Sequence, residues 1–177
     1  MFTKILVALD RGDTCMVLFE KALSLAKATG ASLMLLNVLS PDDKDSPAIP
    51  VYSEVTYYSP SINESVWEVY QERYREYEAK GLDMLRGFTN QAMNEGVKTE
   101  FTQSAGSPGT AICNLAKTWE ADLVMVGSHG RKGLSEMILG SVSNYVMHHA
   151  SCSVLVVHEQ SKSVAPIESA DLAAVEG

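Results

Sequence analysis

Short apolar runs recur along the chain and predict the strands of a sheet. Residues 5–9, 31–38, 122–127 and 153–157 are nearly continuous in hydrophobic side chains, which is the pattern of parallel strands covered on both faces. Residues 97–103 instead alternate apolar and polar side chains, as a half-exposed edge strand does. We therefore predict five strands, with the sheet ending at the alternating one.

Helical patterns separate the predicted strands. The first helix follows Asp13 or Thr14 as N-cap and ends at Gly30. The third begins at a turn formed by Ser107 and Pro108, and the fourth covers residues 141–149. The second helix is long, from residue 64 to residue 94, and we expect an apolar and aromatic stripe along it to face the core. This stripe consists of Val66, Tyr70, Tyr74, Tyr77, Leu85, Phe88 and Ala92.

Residues 39–63 differ from their surroundings in being rich in proline, serine, aspartate and tyrosine. The prolines argue against regular structure, so a long flexible loop is predicted; they are Pro41, Pro47, Pro50 and Pro60. Tyr52, Tyr57 and Tyr58 are suited to making contacts. A lid, a segment that contacts a protein partner and an inert linker are the alternatives. Residues 159–177 are rich in serine, alanine and glutamate, which predicts a disordered tail.

Composition limits the class of protein. A chain of 177 residues with 46% hydrophobic content suffices for one domain with a sizeable core, which we place at residues 1–158. Its net charge of −8 argues against nucleic acid or a membrane surface as partner. The three isolated cysteines fit buried, reduced thiols. No signal-peptide pattern or membrane-spanning run occurs, so we expect a soluble cytoplasmic protein.

A glycine-punctuated loop follows the fourth strand and has the spacing G-x2-G-x9-G-S from Gly127 to Ser141. We expect Gly127 to let the backbone turn and Gly130 to let main-chain N–H groups approach a ligand. Gly140 and Ser141 open the next helix, whose N-terminus favours an anion such as phosphate. Neither the Walker pattern nor G-x-G-x-x-G is present. The alternative is an ordinary flexible surface loop.

A carboxylate, Asp10, stands at the end of the first predicted strand. In open α/β sheets ligands bind at the carboxyl ends of the strands, where such a group can accept hydrogen bonds from a ribose or base. The alternative is that Asp10 begins a turn or caps the following helix.

Residues 121–157, which read ADLVMVGSHGRKGLSEMILGSVSNYVMHHASCSVLVV, resemble the C-terminal half of a universal stress protein domain of the ATP-binding branch. The first forty residues and residues 106–112 also resemble that family. The resemblance implies a doubly wound, Rossmann-like α/β fold with a five-stranded parallel sheet in the order 3-2-1-4-5, helices on both faces, and dimer formation. The family motif usually continues Asp-x-Ser, whereas this chain reads Asp-Arg-Gly-Asp from residue 10, so the contacts of residues 11–13 stay open.

The resemblance also implies a ligand, ATP or alternatively AMP or ADP, with Mg2+ carried on the phosphates. Asp10 would contact the nucleoside, Val38 would line the adenine pocket, and the glycine loop would hold the phosphates. The complete set of predicted ligand-binding residues is Ala8, Leu9, Asp10, Val38, Gly127, Ser128, His129, Gly130, Arg131, Gly133, Gly140, Ser141, Val142 and Ser143.

These expectations lead to one preferred function and two rivals. We expect a nucleotide-dependent sensor or regulator in the stress response, paired as a homodimer through edge strand 153–157, whose apolar ladder would otherwise be exposed. One rival is a weak ATPase or adenylyl-transferring enzyme, although no sequence neighbour identifies a partner for His129 as a general base. The other rival is a nucleotide-free dimeric scaffold that recruits a protein partner through residues 39–63.

Overall fold

Five parallel strands form one sheet at the centre of the fold. The computed structural model describes residues 1–12, 14–49, 60–128 and 140–158. The elements follow one another as β1 (Lys4–Ala8), α1 (Cys15–Thr29), β2 (Ser32–Leu39), α2 (Pro60–Asn94), β3 (Thr99–Ala105), α3 (Pro108–Thr118), β4 (Leu123–Ser128), α4 (Ser141–His149) and β5 (Ser153–His158). The strand order is β3-β2-β1-β4-β5, and all four pairings are parallel. The predicted fold class is therefore confirmed.

Helices cover both faces of the sheet, because successive side chains of each strand point to opposite faces. On β1, Ile5 packs in a cluster with Phe19 of α1 and Leu85 of α2. Its neighbour Leu6 belongs to a second cluster, which includes Ile112 of α3 and side chains of α4. The two layers explain why the central strands are apolar at nearly every position.

The helix boundaries largely follow the signals in the sequence. Gly30 caps the C-terminus of α1 at a φ of 72°, a left-handed conformation that glycine adopts without a steric penalty. Ser107 precedes α3, and Pro108 is its first residue, where the missing backbone N–H costs nothing. Helix α4 spans Ser141–His149, as predicted.

Helix α2 differs from the sequence prediction at its N-terminal end. It begins at Pro60 and not at residue 64, so the expectation that this proline interrupts regular structure was wrong. The physical reason is that the first turn of a helix tolerates proline. The predicted stripe is buried only in the C-terminal half, where Tyr77 and Leu85 are buried, whereas Val66 is 41% exposed. None of residues 65–76 is buried.

The predicted loop and tail are described only in part. Leu39 belongs to β2 and residues 60–63 to α2, so the connection is shorter than the predicted 39–63. Residues 40–49 follow β2 without helix or strand, while residues 50–59 and the tail 159–177 lie outside the described residues. No helix in the described ranges combines the length and the hydrophobicity that crossing a bilayer requires.

Candidate functional site

A cavity of about 500 Å3 lies at the carboxyl ends of β1, β2 and β4. Strand β1 pairs with β2 on one side and with β4 on the other, so the chain winds in opposite directions from this point. Such a reversal opens a crevice in doubly wound sheets. The cavity lies at this crevice, with walls from the strand ends, α1, α3, α4 and the loop after β2.

Apolar side chains form most of the wall. Leu36 and Val38 come from β2, Val126 from β4 and Ile112 from α3, while Leu18 contributes from α1. The volume and the largely apolar lining with a few polar groups are typical of small-molecule sites.

The polar groups of the cavity wall differ in charge. Asp10 after β1 and Asp42 and Asp43 after β2 supply carboxylates, while Ser141 lies at the first turn of α4. Within the described lining there is no lysine or arginine. The N-terminus of α4 therefore provides positive potential through its dipole and the N–H groups that have no partner within the helix, whereas the carboxylates suit hydrogen-bond donors.

Asp10 combines the two roles that its position in the sequence left open. Its Oδ1 accepts a 3.0 Å hydrogen bond from the backbone N–H of Gly12, which is an Asx-type turn. The same residue lines the cavity. Its turn-forming bond orients the carboxyl group, and this orientation is compatible with a ligand contact.

Gly127 lies inside β4, where it pairs with Val157, and its φ is not among the positive values. The expectation that it turns the backbone after the strand was therefore wrong, since the strand continues through Ser128. Among the described residues, a Cβ at Gly127 would approach no atom closer than 3.7 Å, at Thr14 Oγ1, so packing within this part of the chain does not require glycine. The missing side chain instead leaves space in the cavity wall.

Gly140 also has an ordinary backbone conformation, with φ −61° and ψ 157°, and it is the N-cap of α4. No left-handed conformation explains a glycine here. Its carbonyl accepts hydrogen bonds from the Ser143 hydroxyl at 2.9 Å and from the N–H of Asn144 at 2.9 Å. Gly127 lines the cavity, and Gly140 directly precedes Ser141, which also lines it. Neither glycine has a backbone reason for being glycine, which fits close approach of a ligand.

The structure brings half of the predicted site residues into the cavity wall. Ser128, Gly140 and Ser143 are not in this wall. The Ser128 hydroxyl lies 2.6 Å from His158 Nδ1, and the Ser143 hydroxyl donates to the Gly140 carbonyl. Four predicted residues, His129, Gly130, Arg131 and Gly133, lie outside the described residues. The predicted residues that line the cavity are Ala8, Leu9, Asp10, Val38, Gly127, Ser141 and Val142.

Several lining residues were missed by the sequence reasoning. Asp42 and Asp43 follow β2 as Asp10 follows β1, so the rule that carboxyl ends of parallel strands share one edge applies to them equally. The α3 start also lines the cavity, through Pro108 and Gly109. A Cβ at Gly109 would lie 2.6 Å from Tyr145 Cδ1, which shows how closely α3 and α4 approach. Tyr145 itself also lines the cavity.

Cys15 lines the cavity with a thiol that is protonated at neutral pH. Burial, and then the negative charge of Asp10, raise its pKa to about 12. Its Sγ lies 3.7 Å from Met84 Sδ. A thiol of this kind is a poor nucleophile and metal ligand, so Cys15 acts in packing, as expected.

A small network joins the cavity wall to α2. The Tyr77 hydroxyl donates a 2.9 Å hydrogen bond to Asp43 Oδ2, and the guanidinium of Arg11 lies 4.8 Å from the centroid of the Tyr77 ring. Arg11 also forms a 2.9 Å ion pair with Asp45. The loop after β2 is thus joined to both β1 and α2.

This architecture coincides with that of a known family. The sequence profile of the Universal stress protein family matches residues 1–158. The chain belongs to this family. A universal stress protein from Synechocystis is 36% identical to it over 156 residues, which are 88% of this chain and 97% of the relative.

Solved structures share the fold of this universal stress protein. The hypothetical protein MJ0577 superposes with a TM-score of 0.69 at 21% identity, covering 91% of this chain and 99% of that one. A universal stress protein family member from Arabidopsis thaliana, solved with AMP bound, has a TM-score of 0.58 at 25% identity. That similarity covers 90% of this chain and 93% of the plant protein.

Proposed function

We propose that this universal stress protein binds ATP in the cavity at the β1–β4 switch point and works as a nucleotide-dependent sensor or regulator. The observation that carries the proposal is the polarity of the cavity. Carboxylates follow the ends of β1 and β2 in the cavity wall, while the N-terminus of α4, which is capped by Gly140, contributes Ser141 to the same wall. An elongated ligand with a neutral donor-bearing end and an anionic end matches this arrangement.

The polarity sets the orientation of the bound nucleotide. Phosphate oxygens are best placed at the N-terminus of α4, where Ser141 adds a hydroxyl and the helix dipole favours negative charge. The ribose hydroxyls can then donate to Asp10, and the base can lie against Val38 and its apolar neighbours. The reverse orientation would set the phosphates against three carboxylates and is disfavoured by Coulomb repulsion.

Two further observations support a nucleotide of this class. The spacing G-x2-G-x9-G-S begins at Gly127 and ends at Ser141, two residues that line the cavity. The Arabidopsis relative has AMP bound in the same fold. AMP and ADP fit the nucleoside end equally well, so the number of phosphates bound depends on the α4 end and on residues 129–139.

A divalent cation would be carried by the nucleotide itself. In the described residues no three His, Cys, Asp or Glu side chains come together in a way that could hold a metal ion. Mg2+ prefers to bind substrate phosphates with few protein ligands. We therefore propose Mg2+ as a partner of the phosphates that shields their charge.

The sensor mechanism follows from where the loop after β2 lies. Asp42 and Asp43 are part of the cavity wall and of this loop, so a bound nucleotide contacts a segment that leads into α2. A protein partner that contacts residues 39–63 could then respond to occupancy. We place the protein in the cytoplasm, where ATP is abundant, as a homodimer paired through β5.

The decisive experiment separates binding from turnover. Freshly purified protein is denatured and the released nucleotide is identified by chromatography; the stripped protein is then titrated with ATP and Mg2+ in a calorimeter. We expect adenine nucleotide near one per chain and tight rebinding. No released nucleotide together with no binding heat would overturn the proposal in favour of the scaffold. Multiple turnover to ADP or AMP during incubation would instead identify an enzyme.

A further inference from the structure

A second cavity, of about 450 Å3, lies beyond the wall formed by Arg11 and Tyr77. Its lining comes from Arg11, from the loop after β2 and from the outer face of α2. The loop supplies Lys44, Asp45, Ser46, Pro47 and Ala48, and α2 supplies Arg73, Glu76, Tyr77 and Lys80.

The four α2 residues share one side of the helix. Positions 73, 76, 77 and 80 follow the spacing i, i+3, i+4 and i+7, which places side chains in one row. Arg73 and Lys80 therefore stand one above the other, with Tyr77 between them, and face the loop that carries Lys44. Three cationic side chains from two separate segments converge on one concave surface.

The charge of this cavity is opposite to that of the whole protein. Four cations and two carboxylates line it, whereas the chain has a net charge of −8. Asp45 is already paired with Arg11 at 2.9 Å. Glu76 is the remaining carboxylate against Lys44, Arg73 and Lys80, which leaves two positive charges uncompensated.

The three cations make no ion pair or hydrogen bond within the described part of the chain, unlike most of its other basic residues. Ion pairs within the described ranges engage Lys4, Arg11, Lys27, Arg75, Arg86 and Lys98. Besides those, the described basic residues are Lys21 and Lys117 and the three that line this cavity. Most of the unpaired basic side chains in the described ranges therefore line the second cavity.

We propose that this second cavity is a binding site for a small phosphate-bearing anion, distinct from the nucleotide cavity. Arg73 can hold two phosphate oxygens through its planar guanidinium, and Lys44 and Lys80 supply point charges. The two uncompensated positive charges match the two negative charges of a phosphate monoester. The nucleotide cavity, by contrast, has three carboxylates and no described basic side chain in its wall.

The two cavities share a wall that can transmit occupancy. Arg11 lines the second cavity and follows Asp10, which lines the first. Tyr77 also lines the second cavity, and its hydroxyl bonds Asp43 of the first. An anion that draws Arg11 toward itself would weaken the contact of Arg11 with the Tyr77 ring. Binding at the second site is therefore expected to change affinity at the first.

The test is a calorimetric titration with inorganic pyrophosphate, comparing two double variants of equal charge. Arg73→Gln with Lys80→Gln removes two exposed cations of the cavity. Arg75→Gln with Arg86→Gln removes two cations of the same helix that pair locally with Glu72 and Asp83. We expect wild-type binding with a dissociation constant of about 1 mM or tighter. The first pair of substitutions should weaken it about tenfold or more, and the second by less than about twofold.

Pyrophosphate can also enter the nucleotide cavity, so the titrations are repeated in a Gly140→Val background. We expect the same difference between the two double variants there, because Gly140 is not part of the second cavity. Equal weakening by both double variants would show nonspecific attraction to basic side chains and would overturn the proposal. Absence of binding by the wild type would overturn it as well, while leaving the nucleotide proposal untouched.

Discussion

The Tyr77 hydroxyl donates a 2.9 Å hydrogen bond to Asp43 Oδ2 across 34 residues of sequence, joining α2 to the rim of the cavity. The side chain is only 4% exposed. Burial, and then the bond to Asp43 and the negative charge of that carboxylate, raise the pKa of Tyr77 to about 12. This hydroxyl therefore stays protonated at pH values where an ordinary tyrosine ionises.

The raised pKa predicts how stability depends on pH. Ionised Tyr77 is less favourable in the folded state than in the unfolded chain, where the pKa is about 10. The contribution of the neutral hydroxyl is thus fully present below pH about 10 and is lost as the pH rises toward about 12. In an absorbance titration, one of the seven tyrosines should ionise late, and Tyr77→Phe should remove that step. If the late step persists in this variant, the pKa has been assigned to the wrong residue.

Because α2 packs closely against the sheet at Gly81, adding a single methyl group there should destabilise the fold. A Cβ there would overlap the side-chain amide of Gln103 and lie 2.5 Å from Asn37 Oδ1. Both groups are held in place, because Gln103 donates to Asn37 at 3.0 Å and Asn37 donates to the Leu9 carbonyl at 2.9 Å. Gly81→Ala should lower the free energy of unfolding by about 1–3 kcal/mol, measured by urea denaturation.

Gly87 provides the matched control on the same helix. A Cβ at Gly87 would meet no atom of the described residues within 4 Å, and alanine is the better helix former by about 1 kcal/mol. Gly87→Ala should therefore leave stability unchanged or raise it by up to about 1 kcal/mol. Equal effects of the two substitutions would mean that the contact with Asn37 and Gln103 does not limit packing.

A substitution at the N-cap of α4 should abolish nucleotide binding without disturbing the fold. The backbone angles of Gly140, φ −61° and ψ 157°, are open to any residue, so Gly140→Val should fold normally. Its branched side chain would occupy the place where phosphate meets the helix N-terminus. We expect loss of ATP binding by calorimetry with little change in the circular dichroism spectrum, whereas Gly87→Ala should bind normally. Normal titration of Gly140→Val would show that phosphate binds elsewhere.

We expect a lysine substitution to disrupt the dimer on one edge strand of the sheet and not on the other. Leu155 on β5 is 42% exposed and Phe101 on β3 is 36% exposed. If the homodimer forms through β5, Leu155→Lys places two like charges in the interface and should shift the protein to monomer in sedimentation experiments. Phe101→Lys, on the opposite edge, should leave the dimer intact. A dimer that survives the first substitution and not the second would move the interface to β3.

The elements were predictable because their signals are local. Hydrophobic runs indicated the strands, Gly30 and the Ser107-Pro108 pair indicated helix ends, and the boundaries of α4 were predicted to the residue. The errors arose where a local pattern has two physical solutions. Pro60 can interrupt a helix or begin one, and Gly127 can form a turn or sit in a strand next to a cavity.

By itself, the sequence determined the fold class and the strand order expected from the family resemblance, and half of the site residues that it predicted line the cavity. Only the tertiary structure decided which distant residues meet. It brings Asp43 to Tyr77, sets Tyr145 against Gly109 and gathers Lys44 with Arg73 and Lys80. The physical reason is that hydrophobic periodicity and helix capping act over a few neighbouring residues, whereas these long-range contacts depend on how the helices pack on the two faces of the sheet.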